Sequence, residues 1–124
     1  MQKVLVIEDN ADSLRLMEYA LRRAGYEVIA AERGEEGVEL AARERPSFII
    51  MDVSLPGIDG IEAAGRIRNT AEGRNIPIIA VTAHAMKGTR ERMIAADFDG
   101  YIEKPIDPLS IVDQIRRMLG GTGS

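Results

Sequence analysis

Short apolar runs alternate strictly with amphipathic helical stretches along this chain, and that alternation leaves few architectures open. Val4-Leu5-Val6-Ile7, Phe48-Ile49-Ile50-Met51 and Ile78-Ile79-Ala80-Val81 are the strongest runs. The pattern predicts strands over 3–8, 27–30, 47–51, 76–81 and 100–103. It predicts helices from 11 to the turn at Gly25, then over 34–44, 60–69, 85–96 and 108–119. Asn10 is the expected cap of the first helix, whose apolar stripe is Leu14, Met17, Leu21 and Ala24. In the second helix Val38 and Ala41 or Ala42 point inward; in the last, Leu109, Val112, Ile115 and Leu119 do. Strand–helix alternation implies a parallel sheet covered by helices on both faces, with right-handed crossovers. Strands one, three and four are the most apolar and belong at the centre. The expected fold is therefore a doubly wound α/β sandwich with strand order 2-1-3-4-5, whose switch point lies between strands one and three.

The length of 124 residues suits one domain, expected over 1–119, followed by a flexible tail, Gly120-Gly121-Thr122-Gly123-Ser124. No apolar run approaches the roughly 20 residues of a membrane helix, and the opening Met1-Gln2-Lys3 has no signal-peptide pattern. With no cysteine, disulfides and thiolate metal sites are excluded, and a cytoplasmic location is expected. A net charge of −4, no tryptophan and 4% aromatic residues argue against direct nucleic-acid binding.

Polar residues terminate the apolar runs: Glu8 and Asp9 after the first strand, Asp52 after the third, Thr82 after the fourth and Lys104 after the fifth. Carboxyl ends of parallel strands share one edge, where such sheets place their chemistry. Three crowded carboxylates repel one another and ordinarily raise the pKa of one member, a cost that a divalent cation removes. Magnesium takes oxygen ligands, typically one or two carboxylates with retained waters. Asp9 and Asp52 suit direct ligation, Glu8 ligation through water, and the backbone carbonyl of Ser54 completes the protein's share. The bland alternative is that Glu8 and Asp9 solvate a loop and cap the first helix. Asp52 is the best nucleophile, since a carboxylate can form an aspartyl phosphate. Lys104 would neutralise phosphoryl oxygens and the Thr82 hydroxyl would donate to one. Singly, Thr82 is an ordinary strand-end residue and Lys104 a solvated lysine; together they make a phosphoryl-accepting site.

Glu8-Asp9-Asn10, Asp52-Val53-Ser54-Leu55-Pro56-Gly57-Ile58-Asp59-Gly60, Thr82-Ala83-His84-Ala85 and Tyr101-Ile102-Glu103-Lys104-Pro105 occur in a fixed order across almost the whole chain. In these segments the chain resembles the receiver domains of two-component response regulators, both stand-alone regulators and hybrid-kinase receivers. The resemblance implies a flavodoxin-like (βα)5 fold. It also implies phosphorylation of Asp52 from a histidine kinase or histidine phosphotransfer protein, with Asp9, Asp52 and Ser54 on magnesium, or manganese in its place. Thr82 and Tyr101 would form the switch, read by a downstream protein on the face of the fourth predicted helix, strand five and the last helix. Pro105 would follow a cis peptide, against the general preference for trans. Surface residues of the first helix near Leu14 and the loop around Pro105 would receive the donor. His84 is a candidate base or metal ligand, and more naturally a residue tuning access to the site.

Asp97 stands where the resemblance leads one to expect a helix-ending glycine, so Asp97→Gly is expected to raise the melting temperature. No output domain follows Leu119 in this sequence, so output is expected through protein contacts or through passing the phosphoryl group on in a phosphorelay. Two other classes share part of this pattern. A haloacid-dehalogenase-type phosphatase would carry its nucleophile at the first strand with a second Asp two residues on, whereas position 54 is Ser and Asp52 ends the third. A flavodoxin-like FMN binder needs a phosphate cradle after strand one, where Glu8-Asp9-Asn10-Ala11-Asp12 would repel phosphate.

Overall fold

The computed structural model describes residues 2–83, 91 and 98–120. Its elements are β1 (Lys3–Ile7), α1 (Ala11–Arg23), β2 (Glu27–Ala31), α2 (Gly34–Glu44), β3 (Phe48–Asp52), α3 (Gly60–Arg68), β4 (Ile78–Thr82), β5 (Gly100–Glu103) and a C-terminal helix, α4 (Ile111–Met118). All five strands are parallel, in the order β2-β1-β3-β4-β5. The two-residue period of the central strands divides the core into two layers. Leu5, Ile7, Ile49, Met51, Ile78 and Ala80 face Leu40 and Ala41 of α2 and Ala63, Ala64 and Ile67 of α3. Val4, Val6, Phe48, Ile50, Ile79 and Val81 face Met17, Ala20 and Leu21 of α1 and Ile111 and Ile115 of α4. Every residue of β3 and β4 is buried, which is why these strands read as continuous apolar runs.

Local chemistry sets the helix ends. The Asn10 side chain accepts from the Ser13 N–H at 2.9 Å, and Gly25, at φ +96°, follows the C-cap Ala24 of α1. Asp59 caps α3 in the same way, accepting from Glu62 N–H at 2.8 Å.

Most element ends fall within one residue of the sequence reading, and two boundaries differ by more. β4 begins at Ile78, not 76, because Pro77 has no N–H for the ladder; its carbonyl accepts from Ile49 N–H at 2.9 Å. The last helix begins at Ile111, not 108. Asp107 diverts the intervening residues into a turn, its carboxylate accepting from Leu109 N–H and Ser110 Oγ, each at 3.0 Å. Leu109 is consequently not on the inward stripe: it is 92% exposed, and the fully buried Ile111 takes its place in the core. The predicted helix over 85–96, with Met86, Met93, Asp97 and His84 just before it, lies outside the described residues apart from Glu91. Among the described residues no helix is long and apolar enough to cross a membrane.

At the amino end of the sheet, Arg68 and Asp99 join three segments. The Arg68 guanidinium donates to Ile76 O at 2.5 Å and to Asp99 Oδ2 at 2.8 Å, and the same Oδ2 accepts from Ile78 N–H at 2.8 Å. Asp99 is partly exposed, so the ion pair itself contributes little. The lost acceptor for a strand amide matters more: Asp99→Ala is expected to cost about 1–2 kcal/mol, read from urea unfolding, whereas Asp99→Asn should retain most of that stability.

Candidate functional site

Backbone hydrogen bonds continue past the strand ends and fix the residues that follow them. Glu8 N–H donates to Ala31 O at 2.9 Å, Val53 N–H to Val81 O at 3.0 Å, and Lys104 N–H to Thr82 O at 2.9 Å. Glu8, Asp9, Asp52, Thr82 and Lys104 thus share the carboxyl edge of β1, β3, β4 and β5. Glu8 is fully buried, Asp52 and Thr82 are 4% exposed, and Asp9 lies at the surface.

Lys104 bridges the two buried acids. Its Nζ donates to Asp52 Oδ2 at 3.0 Å and lies 2.9 Å from Glu8 Oε1. Each acid also holds a backbone amide: Ser54 N–H donates to Asp52 Oδ1 at 2.9 Å, and Asn10 N–H to Glu8 Oε2 at 3.1 Å. This buried Glu8 oxygen, Oε1, has a charge neighbour but no directed hydrogen bond. Burial first, and then the adjoining Asp52, push the Glu8 carboxyl up to about 7, while Lys104 and the Asn10 amide pull the other way. Burial favours loss of the Lys104 proton, but the adjoining Glu8 and Asp52 carboxylates outweigh it and raise this ammonium's pKa above the ordinary lysine value.

Carboxylate oxygens of Glu8, Asp9 and Asp52 lie within 4.8 Å of one another. A set of hard oxygen donors with one buried oxygen lacking a directed hydrogen bond fits a divalent cation of the magnesium type. The acidic cluster could hold such an ion.

The other residues singled out from sequence are placed as follows. Thr82 closes β4 in register with Glu103, and Asp52 is in register with Val81. Tyr101 is 40% exposed on β5, its ring edge-on to Phe98 with centroids 6.3 Å apart. The Lys104–Pro105 peptide is cis, with Pro105 at the surface. His84 lies outside the described residues. Sequence reasoning named the Ser54 carbonyl but missed the Ser54 and Asn10 amides as partners of the acids, because a backbone donor leaves no signature in residue type.

A family model described as the response regulator receiver domain matches residues 4–116. The chain is 38% identical over 119 residues to a polar-differentiation response regulator DivK from Brucella anthropi, covering 96% of this chain and 97% of that protein. Among solved structures, the receiver domain of a sensor histidine kinase from Pseudomonas aeruginosa, with a magnesium ion coordinated in its active-site cleft, superposes with a TM-score of 0.88 at 37% identity. That alignment covers 96% of this chain and 98% of the other. The chemotaxis response regulator CheY4 of Vibrio cholerae gives 0.89 at 28% identity, covering 95% and 98%. A match through nearly every element, joined to an acid cluster and bridging lysine at the sheet's carboxyl edge, establishes that this chain belongs to the response regulator receiver domain family of two-component signalling.

Proposed function

We propose that Asp52 accepts a phosphoryl group from a phosphohistidine of a histidine kinase or histidine phosphotransfer protein, in a magnesium-dependent reaction, and that protein–protein contacts carry the output. The observation that carries this reading is the placement of Asp52: buried at the end of β3, one oxygen on the Ser54 amide and the other on Lys104. An Asp52 oxygen forms the new bond to phosphorus as the phosphorus–nitrogen bond breaks. The donor leaves as neutral imidazole, its other ring nitrogen keeping the proton. Bound at Asp9, Asp52 and the Ser54 carbonyl, with Glu8 acting through water, magnesium or manganese would supply charge neutralisation for the incoming phosphoryl oxygens.

Lys104, released from Asp52, pairs with one of those oxygens, and the Thr82 hydroxyl donates to another. Such a step needs positioning and charge compensation more than covalent chemistry from the protein. The chain's only catalysis on this reading is acceptance and hydrolysis of its own phosphoryl group. Thr82 and Tyr101 relay the change to the face around β5 and α4, Pro105 borders the donor's docking site, and His84 tunes access. We read 1–119 as the receiver unit and 120–124 as its tail, acting in the cytoplasm without direct nucleic-acid or membrane contact. A second reading, a receiver of a hybrid kinase, draws on the 37% identity to the sensor-kinase receiver; genomic context separates the two.

Incubation with acetyl phosphate and magnesium, followed by intact-mass measurement, tests the central step. Wild type is expected to gain one phosphate-sized increment that chelation of magnesium prevents, and Asp52→Asn to gain none. Equal gain in both proteins would reject Asp52 as the acceptor.

A further inference from the structure

The segment between β3 and α3 is held from two sides by residues that lack a side chain. On one side, Gly60 begins α3 directly against the end of β3, its N–H donating to Val53 O at 2.9 Å. A Cβ at position 60 would overlap Asp52 O and approach Val53 Cα to 2.8 Å, backbone atoms that cannot swing aside. On the other side, the buried Gly34 opens α2 against Ile58: a Cβ there would fall 2.7 Å from Ile58 Cγ1 and 2.9 Å from Ile58 O. Between these contacts Val53 and Leu55 are buried in the core. Ser54, exposed and flanked by two anchored residues, points its amide at Asp52 Oδ1.

We propose that Gly34 and Gly60 are positioning residues of the phosphoacceptor site, because their missing Cβ atoms let α2 and α3 clamp residues 53–58 and so fix the Ser54 amide on Asp52. The proposal rests on the function argued above only for its kinetic consequence. The clamp acts on nucleophile and ligand geometry together, since Asp52 Oδ1 and the Ser54 backbone move as one unit. Displacements on the scale of an ångström at a reacting centre are enough to slow reaction by orders of magnitude. Neither glycine touches a reacting atom.

The test compares Gly34→Ala and Gly60→Ala with Gly73→Ala, whose Cβ would meet Ile67 O in the turn after α3, away from the acidic edge. Three quantities are read: exchange protection of the Ser54 amide by NMR in metal-free protein, magnesium affinity by titration, and the rate of phosphorylation by acetyl phosphate at saturating magnesium. At matched loss of melting temperature, the two clamp variants are expected to lose Ser54 protection by about tenfold, the scale of one hydrogen bond to a charged group. They should slow phosphorylation by at least the same factor, while Gly73→Ala retains both. If Gly34→Ala does not fold, Ile58→Ala removes the clamping side chain from a half-buried position and is expected to lose Ser54 protection as well. Wild-type protection and rate in the clamp variants, or equal losses in Gly73→Ala, would overturn the proposal. If no protein gains phosphate, the phosphoryl reading fails, yet amide protection and magnesium affinity still decide whether the clamp exists.

Discussion

Lys104→Met is expected to lower the unfolding free energy by about 3–5 kcal/mol in magnesium-free buffer at slightly alkaline pH, the usual scale for removing one partner of a buried ionic cluster. The ammonium stands 2.9 Å from Glu8 and 3.0 Å from Asp52, two acids with almost no solvent access. Methionine fills much of the volume, so the loss is one of charge rather than of packing. Protonation limits the cost. Glu8 already titrates at about 7, and without the lysine its pKa rises further, so at lower pH it takes up a proton instead of remaining a buried anion. A carboxyl with a raised native pKa binds more protons folded than unfolded, so stability falls as pH rises through that window. The destabilisation should therefore be smaller at pH 6 than at pH 8, and magnesium should recover part of it. Urea unfolding at the two pH values, with and without magnesium, measures both terms. A loss below about 1 kcal/mol at pH 8 would show that the acids do not depend on this ammonium. Phosphorylation by acetyl phosphate should also fall sharply, because the same charge is assigned to the phosphoryl oxygens.

What the sequence disclosed follows from where side chains alone determine position. Residues 48–52 and 78–82 are buried on both faces, so their runs are unbroken and their central place is readable. Glu8, Asp52, Thr82 and Lys104 were readable because each ends or follows a strand, and parallel strands end on one edge. Leu109 was misread because helical spacing extends through it, while Asp107 supplies a competing turn that periodicity does not register. The Ser54 and Asn10 amides and the close approach of Gly60 to Asp52 depend on backbone paths that only three-dimensional packing fixes.

Glu8→Gln separates the cost of gathering acids from the use made of them. In metal-free protein the substitution removes a fully buried carboxyl whose pKa has been driven upward mainly by burial and by Asp52. It also removes the ionic half of the contact with Lys104, but Asp52 remains to hold that ammonium at 3.0 Å. The amide keeps an oxygen able to accept from the Asn10 N–H. Stability without magnesium is therefore expected to stay level or rise. Magnesium affinity should move the opposite way, by about 10–100-fold, the typical loss when a group supporting a metal's bound waters is altered. Since a ligand stabilises by RT ln(1 + [L]/Kd), a tenfold weaker Kd removes about 1.4 kcal/mol of the stabilisation seen at saturating magnesium. Melting curves across a magnesium titration, run beside wild type and Asp9→Asn, read both effects in one experiment. Wild-type affinity in Glu8→Gln would exclude Glu8 from the metal's surroundings. A large loss of stability without magnesium would instead mean that its pairing with Lys104 outweighs its burial. The opposed signs make the case: a residue that costs stability when the ion is absent, and strengthens binding when it is present, belongs to the site rather than to the fold.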